Sequence, residues 1–434
     1  MPRVAQQRPW REAFLWMVGC SLLFMVTYTG CNWITARRPN VGTWCYAWEF
    51  YTPFVPLMIL PYWSIDLFFA GSFFLGRDRK ELDTLALRIV MAILIAGVCF
   101  LTFPFRICFP RPEVDGILGG LFVSLRAFDQ PYNLVPSLHI TLRTLLADAY
   151  ARHTRGAARW LVHIWFSLVG FSTLLTYQHQ VVDVIAGFIL AAWCFYAVHG
   201  TGERWPVTKN TRVGFYYATG SLALFLFARW TWPWGGILLW PAISLVLVAA
   251  GYFGLGPSIF RKEGGRLPLS SWCILSPCLL GQQLSLLYYR RQCRSWDEVV
   301  PGVWIGRKLN HREAAEAVRR GVTAVLDLTA EFSEARPFLA AAYRNVPILD
   351  LTAPTSEQLR ETTEFINEHA LRGTVYVHCK IGYSRSAAVV GSYLIANGKA
   401  KTAEEAIALM RSVRPSLVVR QEAFTALRMQ LDRS

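Results

Sequence analysis

Residues 374–398, TVYVHCKIGYSRSAAVVGSYLIANG, decide how the chain reads. The run Thr374-Val375-Tyr376-Val377 is β-branched and aromatic, as in a buried strand, and the residues after Ser384 read as an apolar helix closed by Asn397 and Gly398. A loop that leaves a strand and opens a helix turns successive backbone N–H groups toward one point, and the helix dipole adds partial positive charge there. Such a loop holds an anion. Cys379 enters it, and Arg385, the neighbouring His378 and the donor-rich backbone all favour thiolate over thiol.

Arg385 carries the planar fork that pairs with two phosphate oxygens, and Ser386 can hydrogen-bond the sulfur when it leaves again. Gly382 lets the backbone approach closely. The string His378-Cys379-x-x-Gly382-x-x-Arg385-Ser386 resembles the signature of the cysteine-dependent protein tyrosine phosphatase superfamily, in its small dual-specificity branch. A thiolate nucleophile needs an acid for the leaving alcohol oxygen, and a loop after a strand is a suitable mount. The resemblance carries that role to Asp350, after Val346-Pro347-Ile348-Leu349; Asp327, inside an expected strand, is the rival. Lys380 adds a cation beside the sulfur, and lipid-phosphate members of the superfamily have a similar Cys-Lys-x-Gly string. Tyr383 stands where those enzymes usually carry a further basic residue.

With 434 residues, 53% of them hydrophobic and 17 of them Trp, the chain is too apolar for an ordinary soluble protein, and membrane spans are expected. Its net charge of +15 is uneven: up to Arg290, 24 Lys and Arg stand against 13 Asp and Glu, and beyond it 20 against 16. No basic cluster with interleaved aromatics accompanies that excess, so nucleic acid is not an expected partner. The 10 Cys show no paired CxxC spacing, so neither a zinc site nor a disulfide framework is expected, although Cys31 and Cys45 share one loop and are a candidate bridge. No metal or other cofactor is implied.

Apolar stretches run over residues 14–28, 54–75, 85–103, 136–150, 160–177, 181–199, 213–227 and 236–256, about eight helices. Basic groups fall in alternate loops: Arg3, Arg8 and Arg11; Arg77, Arg79 and Lys80; Arg152, Arg155 and Arg159; Arg204, Lys209 and Arg212; Arg261, Lys262 and Arg266. The rule that basic loops stay inside therefore puts both termini in the cytoplasm. Trp230-Thr231-Trp232-Pro233-Trp234 reads as an interfacial aromatic anchor.

The far side carries a second constellation. Asn133-Leu134-Val135-Pro136-Ser137-Leu138-His139 opens one helix and Tyr177-Gln178-His179-Gln180-Val181-Val182-Asp183 opens another. His179 and Asp183 lie one helical turn apart, so the carboxylate can fix the imidazole, and His139 can approach the pair. The arrangement fits covalent catalysis at phosphorus: His179 attacks, Asp183 orients it, and His139 protonates the leaving oxygen. Arg106 and Arg111 are candidates for phosphate oxygens. Pro136-Ser137-x-His139 and His179-x-x-x-Asp183 resemble the type 2 phosphatidic acid phosphatase (PAP2) superfamily of membrane lipid phosphatases and phosphotransferases, over about residues 54–200. Two cations of that family's commonest form are replaced here, by Pro104 and by Ser172-Thr173. A phosphate of lower charge, such as a diester, suits that loss, and the resemblance leans to the sphingomyelin and inositol phosphorylceramide synthase branch.

The expected architecture is a multi-pass all-α membrane domain over residues 1–256, a PAP2-like bundle, then an interfacial connector over 257–294 and a soluble α/β dual-specificity phosphatase domain over 295–434. As a whole the chain resembles a bacterial fusion of the two, in the inner (plasma) membrane. The expected function is bifunctional. A cytosolic site hydrolyses a phosphomonoester through Cys379, and an outer-face site hydrolyses a lipid phosphate or transfers a phosphorylated head group. The alternatives are a membrane-anchored protein phosphatase with a sensor domain, and a lipid-carrying membrane half without chemistry. Connector residues 267–289, basic at both ends, read as lying in the interface or as a ninth span; the second would put Cys379 outside, against the reducing compartment a thiolate enzyme needs. Oligomeric state is left open.

Overall fold

The computed structural model describes residues 8–110, 112–199, 206–231 and 234–431. Arg3, Arg111, Arg204, Trp232 and Pro233 lie outside these. The chain forms two compact units, residues 1–200 and 201–434.

The first unit is helical: α1 (Trp10–Thr35), α2 (Ile59–Ser72), α3 (Arg79–Thr102), α4 (Gly116–Phe128), α5 (Leu138–His153), α6 (Gly156–Leu175) and α7 (Val181–Ala197). Asp78 caps α3 by accepting from Glu81 N, and Ser137 caps α5 by accepting from Ile140 N. Leu82, Ile89, Phe100, Leu145 and Phe166 form the core between α3, α5 and α6. Helix α4 was not expected from the sequence. Cys45 is disulfide-bonded to Cys108, whereas Cys31 is a free, buried thiol donating to Gly97 O, so the expected Cys31–Cys45 bridge is replaced by a pairing across 63 residues. Cys31 lies in the last turns of α1 and not in the loop that carries Cys45.

In the second unit come α8 (Thr211–Trp230), α9 (Leu239–Ala250) and α10 (Leu269–Tyr289). The segment that reads as interrupted is one continuous helix of 21 residues with Pro277 inside it. By length and composition four segments among the described residues suffice to cross a membrane: Trp10–Thr35, Arg79–Thr102, Gly156–Leu175 and Trp234–Phe260.

A five-stranded sheet comes next, with α11 (His311–Arg319), α12 (Arg336–Leu339), α13 (Ser356–Ala370), α14 (Ser384–Ala396), α15 (Ala403–Val413) and α16 (Gln421–Leu431) around it. Its strands are β1 (Trp296–Val300), β2 (Val303–Arg307), β3 (Val322–Asp327), β4 (Ala342–Asn345) and β5 (Thr374–Cys379), in the order β1-β2-β5-β3-β4. Only β1 runs antiparallel to its neighbour β2. The β1–β2 hairpin turns at Pro301-Gly302, with Gly302 at φ 80°. Covered on both faces, β5 is apolar through its centre, with Val375, Tyr376 and Val377 fully buried. Thr355 with Gln358 forms a capping box at the start of α13, whereas at α15 only half of one forms: Thr402 accepts from Glu405 N, and the Glu405 carboxylate accepts from Lys401 N.

Candidate active sites

Central strand β5 ends on Cys379, and the loop from Lys380 to Tyr383 delivers the chain into α14, whose residues from Arg385 to Leu394 are all buried. Gly382 has φ 74°, and a Cβ there would lie 2.4 Å from the carbonyl carbon and oxygen of Gly306. The loop folds down onto β2 only because that side chain is absent.

Cys379 is 4% exposed. Burial alone would push its thiol up. The Arg385 guanidinium, the Ser386 hydroxyl and the backbone N–H groups of Ser386 and Ile381 outweigh burial and hold it below the ordinary thiol range. The Ser386 hydroxyl, buried and without an oxygen or nitrogen partner, is left to the sulfur. His378 acts differently from the expectation. Its Nε2 lies 3.0 Å from Glu334, facing the acidic cluster behind the loop and not the thiol, and Nδ1 lies 3.4 Å from Cys379 O.

Arg385 is gripped from behind by Glu331, which accepts from Nη1 at 3.2 Å and from Nη2 at 2.8 Å, while Ile348 O accepts from Nη1 at 2.9 Å. Asp350 lies 3.3 Å from Arg385 Nη2 and 2.9 Å from Lys380 Nζ. Burial would raise the Asp350 carboxyl, but Arg385 first and Lys380 second outweigh it and hold the resting acid at about 2. Cys379, Lys380, Arg385, Asp350 and Tyr383 line one cavity of about 340 Å³, to which α10 contributes Ser285 and Tyr289. Gln282 of α10 also accepts from Lys380 Nζ at 2.9 Å. Glu331, Gln282, Ser285 and Tyr289 were missed from sequence, since nothing local marks a residue that reaches the site from another element.

Asp327 is fully buried and engaged by Lys262 Nζ at 2.5 Å and Tyr343 Oη at 2.8 Å. It is a structural group, as its strand position implied. Lys262, one of the loop cations expected to orient the chain in a membrane, is buried in this cluster. Asp327, Glu334 and His378 lie close enough to share a metal ion, but Lys262 and Lys308 already bring positive charge to the two carboxylates, Lys308 at 3.2 Å from Glu334. The donor set suits those ammonium groups.

In the first unit, α5 and α7 start from one end and touch: Asp183 O accepts from Ser137 N at 3.0 Å, and Gly187 O accepts from Thr141 Oγ1 at 3.0 Å. A Cβ on Gly187 would lie 2.6 Å from Ser137 O, so this close crossing depends on glycine. His179 Nδ1 lies 3.3 Å from Asp183 Oδ2, which also accepts from Gln180 N at 2.9 Å. His139 and His179 line one cavity of about 100 Å³ with Tyr62, Asp66, Asp129 and Asn133. The His139 ring stacks on Tyr62 at 4.2 Å, and its buried Nε2 has no hydrogen-bond partner among the described residues. Arg106 is exposed and is not among the described residues lining this cavity; its backbone N donates to Gly42 O. Glu49, fully buried, accepts from Val181 N at 2.8 Å and caps α7 from 132 residues away, again without a sequence signal.

Two family descriptions match the chain: "Dual specificity phosphatase, catalytic domain" over residues 303–431 and "PAP2 superfamily" over residues 117–197. Among curated relatives, Phosphatidylglycerophosphate phosphatase PTPMT2 of Arabidopsis thaliana is 31% identical over 163 residues, covering 36% of this chain and 68% of that protein. Phosphatidylglycerophosphate phosphatase PTPMT1 of the same plant is 30% identical over 135 residues, 29% of this chain and 39% of that protein. The solved structure of Tk-PTP in the active form covers 32% of this chain and 98% of its own, at 28% identity and TM-score 0.30.

Proposed function

Since the chain belongs to the dual-specificity phosphatases and carries a PAP2-superfamily segment, we propose that it is a bifunctional membrane phosphatase of phospholipid metabolism with one sulfur site and one imidazole site. The observation that carries this reading is the meeting of Cys379, Arg385 and Asp350 around a single cavity.

In the sulfur site the Cys379 thiolate attacks phosphorus while the Arg385 fork binds two non-bridging oxygens. As the S–P bond forms and the P–O bond breaks, Asp350 gives its proton to the departing alcohol oxygen. Water then attacks the cysteinyl phosphate, Asp350 takes its proton, and sulfur leaves as thiolate, stabilised by Ser386. The resting carboxyl at about 2 is mostly ionised at neutral pH. A phosphate dianion bound to Arg385 draws off the cation that depresses it and adds negative charge nearby, and both changes raise the acid into a useful range.

Lys380 in the cavity, and relatives whose names specify phosphatidylglycerophosphate, favour a lipid phosphomonoester over a phosphopeptide. In the imidazole site His179 is the nucleophile, Asp183 its orienting carboxylate and His139 the acid, with Arg111 as candidate phosphate ligand. Replacement of the family's cations by Pro104 and Ser172-Thr173 favours a phosphodiester head group, as in the sphingomyelin synthase branch. The same proposal takes residues 1–256 as multi-pass with about eight crossings, 257–294 as connector and 295–434 as cytoplasmic, in a bacterial inner membrane. Reporter fusions after Gly256 and at the C-terminus test that sidedness.

The deciding experiment is a lipid profile of cells expressing wild type, Cys379→Ser and His179→Ala. A different phospholipid should accumulate in each variant. Unchanged lipids in both, together with dephosphorylation of phosphopeptides, would replace this reading with the membrane-anchored protein phosphatase.

A further inference from the structure

The loop that bears Asp350 is held from outside the matched catalytic segment, residues 303–431. Three backbone carbonyls accept from side chains that come earlier in the chain. Tyr252 Oη donates to Asp350 O at 2.8 Å, Asn210 Nδ2 donates to Leu351 O at 2.7 Å, and Thr208 Oγ1 donates to Ala353 O. Leu351 sits at φ 62°, a left-handed conformation costly for a side chain of its kind, so this turn depends on surrounding bonds to persist. The direction of the Tyr252 hydroxyl is itself fixed, because the residue is 3% exposed and its ring stacks at 5.6 Å on Tyr217 of α8. Asn210 is likewise anchored: it is the N-cap of α8, accepting from Val213 N at 3.2 Å with the oxygen of the same amide whose nitrogen reaches Leu351. On the other side of the carboxylate, Gln282 of α10 holds Lys380, the cation that pairs with Asp350.

We propose that Asn210 and Tyr252 are positioning residues for the general acid: the helical segment before the catalytic domain fixes loop 350–353 and so keeps the Asp350 carboxyl at the cavity of Cys379. This rests on the reading of Asp350 as the acid. It makes the helices part of the catalytic apparatus, since proton delivery depends on bonds that the catalytic segment alone does not contain.

Leaving-group dependence tests it in the full-length chain. Phenyl phosphate releases a basic phenoxide that needs a proton, whereas dinitrophenyl phosphate releases a stable anion that does not. Tyr252→Phe keeps the stacked ring and loses only the hydroxyl, and Asn210→Ser keeps a capping oxygen and loses the reach to Leu351. Each should lower kcat/KM on phenyl phosphate, which reports only the steps up to departure of the leaving group, by about fivefold, the effect of one hydrogen bond, and leave kcat/KM on dinitrophenyl phosphate within about twofold. Asp350→Asn should lower kcat/KM on phenyl phosphate by about 100-fold, and adding Tyr252→Phe to it should cost nothing further. Equal losses on both esters, no loss on either, or a fully additive double variant would overturn the positioning role. If Asp350→Asn treats both esters alike, the acid assignment falls and the clamp with it. If Asp350→Asn discriminates between them and the helix variants do not, only the clamp falls.

Discussion

Glu331→Gln is the substitution that most directly probes the sulfur site, because among the described residues the Glu331 carboxylate accepts hydrogen bonds from Arg385, which grips phosphate, and from the backbone N of Ala330. The Glu331 and Arg385 side chains are 3% and 2% exposed, and the carboxylate meets two guanidinium nitrogens. An amide of the same shape keeps one acceptor oxygen and turns an N–H donor toward a cation that has nothing to accept it. One charge-assisted hydrogen bond, about 1.5–3 kcal/mol, is lost. If that loss falls on the geometry with which Arg385 meets the transition state, kcat/KM drops by about 10- to 150-fold. The sulfur should not lose reactivity, because the guanidinium charge that favours thiolate is then less neutralised. Two measurements on one preparation therefore diverge: turnover of dinitrophenyl phosphate falls while the rate of Cys379 alkylation at neutral pH is kept or rises. Glu331→Asp, which retains the charge, should recover part of the turnover, and a thermal melt checks that the fold survives. Turnover within twofold of wild type, or alkylation falling in step with turnover, would refute the argument.

Arg385→Ala should shift the midpoint of pH-dependent Cys379 alkylation upward, since the strongest group opposing burial of the thiolate is gone; an unchanged midpoint would contradict that ranking. Gly382→Ala places a Cβ against Gly306 at φ 74°, and strain plus overpacking should cost about 2–5 kcal/mol, read as a lowered Tm with loss of phosphatase activity. Burial pushes the His378 imidazole down, but Glu334 and Asp327 outweigh it and raise it above its ordinary value. Its stabilising contribution is then complete below the ordinary imidazole range, about 6.5, and is lost as pH rises through the raised value. The Tm should decline on that alkaline side, and His378→Gln should flatten the slope. His179→Ala and Asp183→Asn should each abolish turnover of lipid phosphate by the first unit, with dinitrophenyl phosphate hydrolysis at Cys379 unaffected.

Much of both sites was legible in the sequence because each is carried by short strings at helix entrances, one for the sulfur and two for the imidazoles. The thiolate loop needs Cys379, Gly382, Arg385 and Ser386 within eight residues, and His179 and Asp183 sit four apart. What escaped was whatever arrives from afar. Glu331 and Glu49 are ordinary acidic residues in sequence, and only folding brings them to Arg385 and to the start of α7. Val299, Val300 and Val303 belong to two strands and not one, because Pro301-Gly302 between them is a turn signal in plain view. Residues 267–289 read as lying in the interface or as a ninth span, and nothing in their hydropathy marked Gln282 of α10 as the partner of Lys380.

The Cys45–Cys108 crosslink and the Cys379 sulfur, whose thiol is held below its ordinary range, ask opposite things of their surroundings. Dithiothreitol added to preserve turnover would open the first, and an oxidising buffer chosen to preserve the first would silence the second. Preparations of the intact chain are therefore best assayed for the two chemistries in separate aliquots, each poised at its own potential.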